Sequence, residues 1–321
     1  MSVYRLNKLI RLAPNMTASG RYTTAMQPQR HNTSHSAQAA NSPAGHTAFK
    51  TLAISTPKPF VFHVELHRPN KLNAINKQMW LEIKNCFEEL STNPDCRAIV
   101  LSASGKHFTA GIDLSDMMNL GQQLADTDDC ARKGYILERV IKLYQDSISA
   151  LEQCPKPVIT AVHQACIGAG VDLITASDIR YCTQDAFFQV KEVEIGMAAD
   201  VGTLQRLPKA IGSQSLAREL CFTGRRFEAA EAHACGLVSR VFADKDSLVS
   251  GALALAEQIA QKSPIAVQTT KANMVYSLEH TNQQGLDHIR WYNKLNLQSE
   301  DFAQAVAAQL TKDEKPIFAK L

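Results

Sequence analysis

Buried strand, glycine-bearing turn, helix: this succession constrains the fold of the 321-residue chain more than any other feature. Ala98-Ile-Val-Leu-Ser-Ala103 is a short apolar run that reads as a buried strand, and His107-Phe-Thr-Ala-Gly-Ile-Asp113 follows it. Val158-Ile-Thr-Ala-Val162, entered from Pro157, is a second such strand, and Ile167-Gly-Ala-Gly-Val-Asp172 follows it and opens a helix. Strands alternating with helices in this way indicate an α/β core. Gly111 is free to take a positive φ and turn the Ile112 amide outward. The amides at the start of the helix near Ala169 are unpaired and lie at the positive end of its dipole.

Other elements extend the pattern. Phe60, Phe62, Val64 and Leu66 alternate with Val61, His63, Glu65 and His67, which predicts a strand where the folded part begins, with the two histidines on its polar face. Asn76 is placed to cap a helix carrying Trp80, Ile83, Phe87 and Leu90 on one side. Leu137, Ile141, Tyr144, Ile148 and Leu151 form another helical stripe, and Ile179-Arg-Tyr-Cys182 a further strand whose preceding Asp178 supports a turn. From about residue 203 helices dominate, at 204–211, 215–222, 252–259, 264–276 and 302–310, with 238–242 a short strand or extended link. The resulting division is a targeting segment over 1–50, an α/β core over 51–255 and a C-terminal helical region over 256–321.

The net charge of +3 misleads, because residues 1–50 hold six basic residues and no acid, and the remainder is therefore −3. That balance gives little electrostatic reason to expect nucleic acid as a partner. No apolar run of membrane-spanning length is present. The eight cysteines are scattered without a C-x-x-C pair, which indicates reduced structural thiols and no metal site. At the N-terminus Arg5, Lys8 and Arg11 alternate with Tyr4, Leu6, Leu9, Ile10 and Leu12, ahead of a hydroxyl-rich stretch, as in a mitochondrial transit peptide. Ala319-Lys320-Leu321 is a conservative version of the Ser-Lys-Leu peroxisomal address, so dual residence is expected.

Three carboxylates fall in one glycine-rich apolar region: Asp172, Glu192 and Asp200. Carboxylates in apolar walls have raised pKa values and exchange protons near neutral pH. Beside two converging amides, they suit proton movement along a carbonyl-conjugated chain through an enolate.

His67-Arg-Pro-Asn-Lys-Leu-Asn-Ala74, Phe108-Thr-Ala-Gly-Ile-Asp113, Gly168-Ala-Gly-Val-Asp172, Gly202-Thr-Leu-Gln-Arg-Leu207, Phe222-Thr-Gly-Arg-Arg226 and Gly236-Leu-Val238, in this order, resemble the enoyl-CoA hydratase/isomerase (crotonase) superfamily. Asp172, Val190-Lys-Glu192 and Ala198-Ala-Asp-Val-Gly202 resemble its Δ(3,5)-Δ(2,4)-dienoyl-CoA isomerase branch. The resemblance implies a spiral of ββα repeats and a C-terminal helical region that builds homotrimers or homohexamers. It implies an acyl-CoA thioester as substrate, with CoA part of that substrate and no separate cofactor. Ala110, Gly111, Ile112, Asp113 and Leu114 would line the acyl-CoA site, and the Ile112 and Ala169 amides would form the oxyanion hole. Ala169 stands where the family usually has glycine, which leaves the amide but narrows the pocket. Glu192 and Asp200 would be the proton-transfer pair that converts 3,5-dienoyl-CoA to 2,4-dienoyl-CoA, with Asp172 orienting or polarising the site. Lys71 either reaches a CoA phosphate or is solvated. Hydratases usually carry Glu at the position of Asp172 and Gly at that of Asp200, so 2-enoyl-CoA hydratase and Δ3-Δ2-enoyl-CoA isomerase are the nearer alternatives, and an RNA-binding member or a silent scaffold the more distant ones.

Overall fold

In the computed structural model, which describes residues 49–126, 128–311 and 316–321, the chain enters its main sheet through β1 (Leu52–Lys58) and turns straight back into β2 (Val61–Leu66). From β2 onward the sheet is parallel: β3 (Ala98–Ala103), β4 (Val158–Val162), β6 (Ile179–Thr183) and β9 (Arg240–Phe242) follow in that spatial order. A smaller sheet joins β5 (Ala165–Ile167), β7 (Phe187–Gln189) and β8 (Phe227–Glu228). Successive strands such as β4 and β5 thus leave one sheet for the other before a helix follows, which is the expected ββα repeat. All but two residues of the expected targeting segment lie outside the described residues.

The strand expected at Phe60 is β2, but it is not where the fold begins. β1 precedes it, hidden from sequence reading because Ile54-Ser-Thr-Pro-Lys58 is mostly polar and holds a proline. An edge strand tolerates both, having a neighbour on one side only. Its entrance is anchored by Glu82, whose carboxylate accepts the Lys50 and Thr51 amides at 2.8 and 2.7 Å. His63 corrects the expectation of a polar face: it is buried and its Nε2 lies 2.8 Å from the Ser102 hydroxyl, although His67, just past the strand, is exposed.

Helix α1 (Lys77–Thr92) starts at Asn76 as expected, the Asn76 side chain accepting the Met79 amide at 3.0 Å. It is followed by α2 (Leu114–Ala125), α3 (Cys130–Gln153), α4 (Ala169–Thr175), α5 (Thr203–Ala210), α6 (Gln214–Thr223), α7 (Ala229–Ala234) and α8 (Lys245–Ala260). Three helices, α9 (Pro264–Ser277), α10 (Asn282–Asn296) and α11 (Glu300–Thr311), complete the chain. The sheet is covered on both sides. Ile99, Leu101 and Val158 face the large core with Trp80, Phe87 and Leu151, while Ala98, Val100 and Ile159 face α8. Ala252, Ala256 and Ala260 recur every fourth residue on α8, and their small side chains let that helix lie close against the strands. The expected division between residues 255 and 256 runs through α8.

Asp178 does more than support a turn. Its carboxylate accepts the Val158 amide and the Lys271 ammonium, each at 2.7 Å, and Lys271 also donates to the carbonyls of Leu151 and Lys156. This joint, with Lys271 buried and Asp178 at the surface, ties α9 to the end of the sheet. The described cysteines are all free thiols, and most are buried.

Candidate active site

Two loops converge because backbone pairing draws them together. The Thr109 amide donates to the Ala165 carbonyl at 3.0 Å and the Thr109 carbonyl accepts the Ile167 amide at 3.2 Å, laying the first glycine loop alongside β5. Gly111 then passes so close to the second loop that a Cβ on it would stand 2.8 Å from the Ile167 carbonyl oxygen. Its φ of +90° is also one that only glycine adopts freely.

The amides in this first loop are mostly spent. Ala110 donates to the Leu72 carbonyl, Gly111 to the Thr109 hydroxyl and Asp113 to the Ile75 carbonyl. Among the hydrogen bonds of the described residues, the Ile112 amide has no acceptor, and neither has that of Ala169 in the first turn of α4. These two are the pair that the family resemblance implied. Asp113 and Leu114 stand apart from them: the Asp113 carboxylate caps α2 and pairs with Arg68 at 3.0 Å, and the Leu114 side chain is largely exposed. The hydrogen bond from the Ser115 hydroxyl, ahead of the Arg68 charge, holds Asp113 below the usual carboxylate range.

Asp172 projects from the first turn of α4 into full burial. One oxygen accepts the Thr203 amide at 2.5 Å, while the other is buried with no partner. Burial pushes its pKa up to about 6, against the lowering effect of the Thr203 bond. Glu192 opens a 3-10 turn over Glu192–Ile195, and its Oε1 lies 3.2 Å from where a Cβ on Gly168 would stand, beside the N-terminus of α4. Its Oε2 is likewise buried and unpartnered. Burial, then the charge of Asp172, pushes Glu192 up to about 7. Asp200 is half-buried and raised by burial, and its charge in turn raises both Asp172 and Glu192. The three carboxylates therefore share one electrostatic environment next to two free amides. Unpartnered buried carboxylate oxygens are rare where no chemistry requires them.

Comparison with known proteins gives the family. Residues 58–315 match the family model described as enoyl-CoA hydratase/isomerase. The chain belongs to that family. It is 52% identical over 267 residues to the mitochondrial Δ(3,5)-Δ(2,4)-dienoyl-CoA isomerase of Homo sapiens, covering 83% of this chain and 81% of the relative. The peroxisomal Δ(3,5)-Δ(2,4)-dienoyl-CoA isomerase of Arabidopsis thaliana is 47% identical over 276 residues, covering 85% and 99%. Among solved structures, the enoyl-CoA hydratase of Bacillus anthracis superposes with a TM-score of 0.76 at 25% identity, covering 84% of this chain and 99% of that one. The family's crotonase fold is thus the one the resemblance of the ordered motifs implied, and it agrees with the α/β core read from the strand and helix pattern.

Sequence reasoning missed Thr203, whose amide holds Asp172, and Gln145, whose side chain reaches the Asp200 carbonyl. The first contact is made by backbone and has no residue-type signature. The second joins residues 55 apart in sequence, and only their packing reveals it.

Proposed function

We propose that this protein is an isomerase that converts 3,5-dienoyl-CoA to 2,4-dienoyl-CoA. One carboxylate of the Glu192–Asp200 pair takes a proton from C2. The electrons spread through the diene onto the thioester oxygen, where the Ile112 and Ala169 amides stabilise the dienolate. The other carboxylate delivers a proton to C6, and the double bonds come to rest at C2 and C4. Asp172, fixed by the Thr203 amide, orients the site and raises the proton affinity of Glu192 through its charge. CoA enters as part of the substrate, and moving a proton this way needs no separate cofactor.

The observation that carries this reading is the third carboxylate. Glu192, with a pKa near 7, is poised to hold or release a proton at working pH, and Asp200 lies close enough to raise it further. The dienoyl-CoA isomerases of Homo sapiens and Arabidopsis thaliana, about half identical to this chain, support it. Mitochondrial and peroxisomal residence is supported by the compartments named for those relatives and by the acid-free, basic composition of residues 1–50. Assembly into trimers or hexamers is supported by the exposed apolar residues Leu286, Trp291, Leu295 and Leu297 on and just beyond α10.

The test is direct. Purified protein mixed with a 3,5-dienoyl-CoA should produce the absorbance of the conjugated 2,4-dienoyl thioester. Absence of that signal, alongside efficient hydration of a 2-enoyl-CoA, would replace the isomerase reading with a hydratase one.

A further inference from the structure

We infer that one face of α3, carrying Gln145, Ser149 and Glu152, positions Asp200 for proton transfer; this rests on the role proposed for Asp200 above. Residues spaced four and then three apart share one side of a helix. Here that side meets the segment bearing Asp200. The Gln145 side-chain amide donates to the Asp200 carbonyl at 2.7 Å. Arg206, in the following helix α5, donates to Glu152 at 2.8 Å and to the Ser149 hydroxyl at 3.0 Å.

The segment needs such holding. Residues 197–202 belong to no helix or strand, so no ladder of backbone hydrogen bonds fixes Asp200. Gly202 closes the segment at φ +137°, and the Arg206 guanidinium fills the space beside it, 2.0 Å from where a Cβ would stand. Arg206 is thus clamped between Gly202 and α3, and Gln145 grips the segment two residues earlier, at Asp200 itself. The next amide along, that of Thr203, holds Asp172. Two of the three carboxylates therefore take their placement from a segment whose side-chain anchors lie on one helix face. Gln145 is a positioning residue: it touches the backbone of Asp200 and not the reacting atoms.

Proton transfer falls steeply when donor and acceptor move by about an ångström, so loss of this anchor should lower kcat while sparing thioester binding. Gln145→Met keeps the length of the side chain and removes the donor. It should lower kcat by about 10- to 100-fold, with KM within about twofold of the parent. The discriminating measurement is deuterium incorporation during turnover in D2O, resolved at C2 and C6. Gln145→Met should lose exchange at one carbon far more than at the other, and that carbon should be the one lost in Asp200→Asn. Gln145→Glu, similar in size and also without the amide donor, should show the same bias, so the result does not depend on one variant. Thermal unfolding of both variants close to that of the parent accompanies the expected result. Turnover within about twofold of the parent, or equal loss of exchange at both carbons, overturns the positioning role. If Asp200→Asn itself turns over like the parent, the proton-transfer pair proposed above fails, and this inference fails with it. If Asp200→Asn is impaired and Gln145→Met is not, the positioning role alone is wrong.

Discussion

Asp172, in the first turn of the short helix α4, and Asp178, just past its end, are the same residue type, yet their surroundings are opposite. Asp178 takes the Val158 amide and the Lys271 ammonium on one oxygen, Oδ2, and is exposed, so that water meets its remaining capacity, while Lys271 is spent on two further carbonyls. Asp172 is fully buried and keeps one oxygen with no partner, as does Glu192 beside it. A carboxylate whose hydrogen-bonding capacity is met acts as a joint between elements. One left short is free to change protonation, at a cost to stability that only chemistry repays. The difference separates architecture from reactivity better than residue type does.

The largest effect expected is on the reactive side. Asp200→Asn should cut turnover by a factor on the order of 10² to 10⁴, because an amide does not exchange a proton at working pH. Combining it with Glu192→Gln should cost less than the product of the two single losses, since groups in one proton relay are not additive. Steady-state kinetics on a 3,5-dienoyl-CoA checks both, and strictly multiplicative losses would mean that the two acids serve separate steps.

The joint should respond in stability instead. Lys271→Met removes the buried ammonium of a partly exposed ion pair and leaves two carbonyls without a donor, which should cost about 1–3 kcal/mol. Denaturant unfolding measures it. A large fall in turnover of the folded enzyme with stability intact would erase the distinction between the two aspartates.

The smallest effect has a sign that depends on pH. The folded-state pKa of Glu192 is raised from 4.5 to about 7, so its folded form holds a proton that the unfolded chain has already released. Such a group favours folding below its unfolded pKa, and that contribution is lost as pH rises through the folded one. Glu192→Gln should therefore match the parent in stability near pH 4 and exceed it by about 1–3 kcal/mol above pH 8. Unfolding curves at the two pH values decide this. A variant less stable than the parent at the higher pH would place Glu192 among the joints.

Much of the fold was legible because it depends on local periodicity. The Asn76 cap, the apolar runs at 98–103 and 158–162 and the helix opened by Gly168-Ala-Gly fell where expected. That the Ile112 amide and the amides opening α4 are left free was also legible, since positive-φ glycine and a helix N-terminus are local properties, whereas their pairing came only through the family resemblance. His63 was misread because alternation along a strand says which side a residue faces but not whether a helix covers that side; α8 does. β1 was missed because edge position, not composition, permits it.

The sequence by itself determined which groups are available: three acids among apolar residues and two glycine turns that free an amide each. Those properties are carried by single residues and their immediate neighbours. Only the tertiary structure decided which acid is satisfied and which is not, that Lys271 goes to Asp178, and that Gln145 and Arg206 hold the segment of Asp200. Hydrogen-bond partnership and desolvation depend on groups brought together from distant parts of the chain, and proton affinity follows from both.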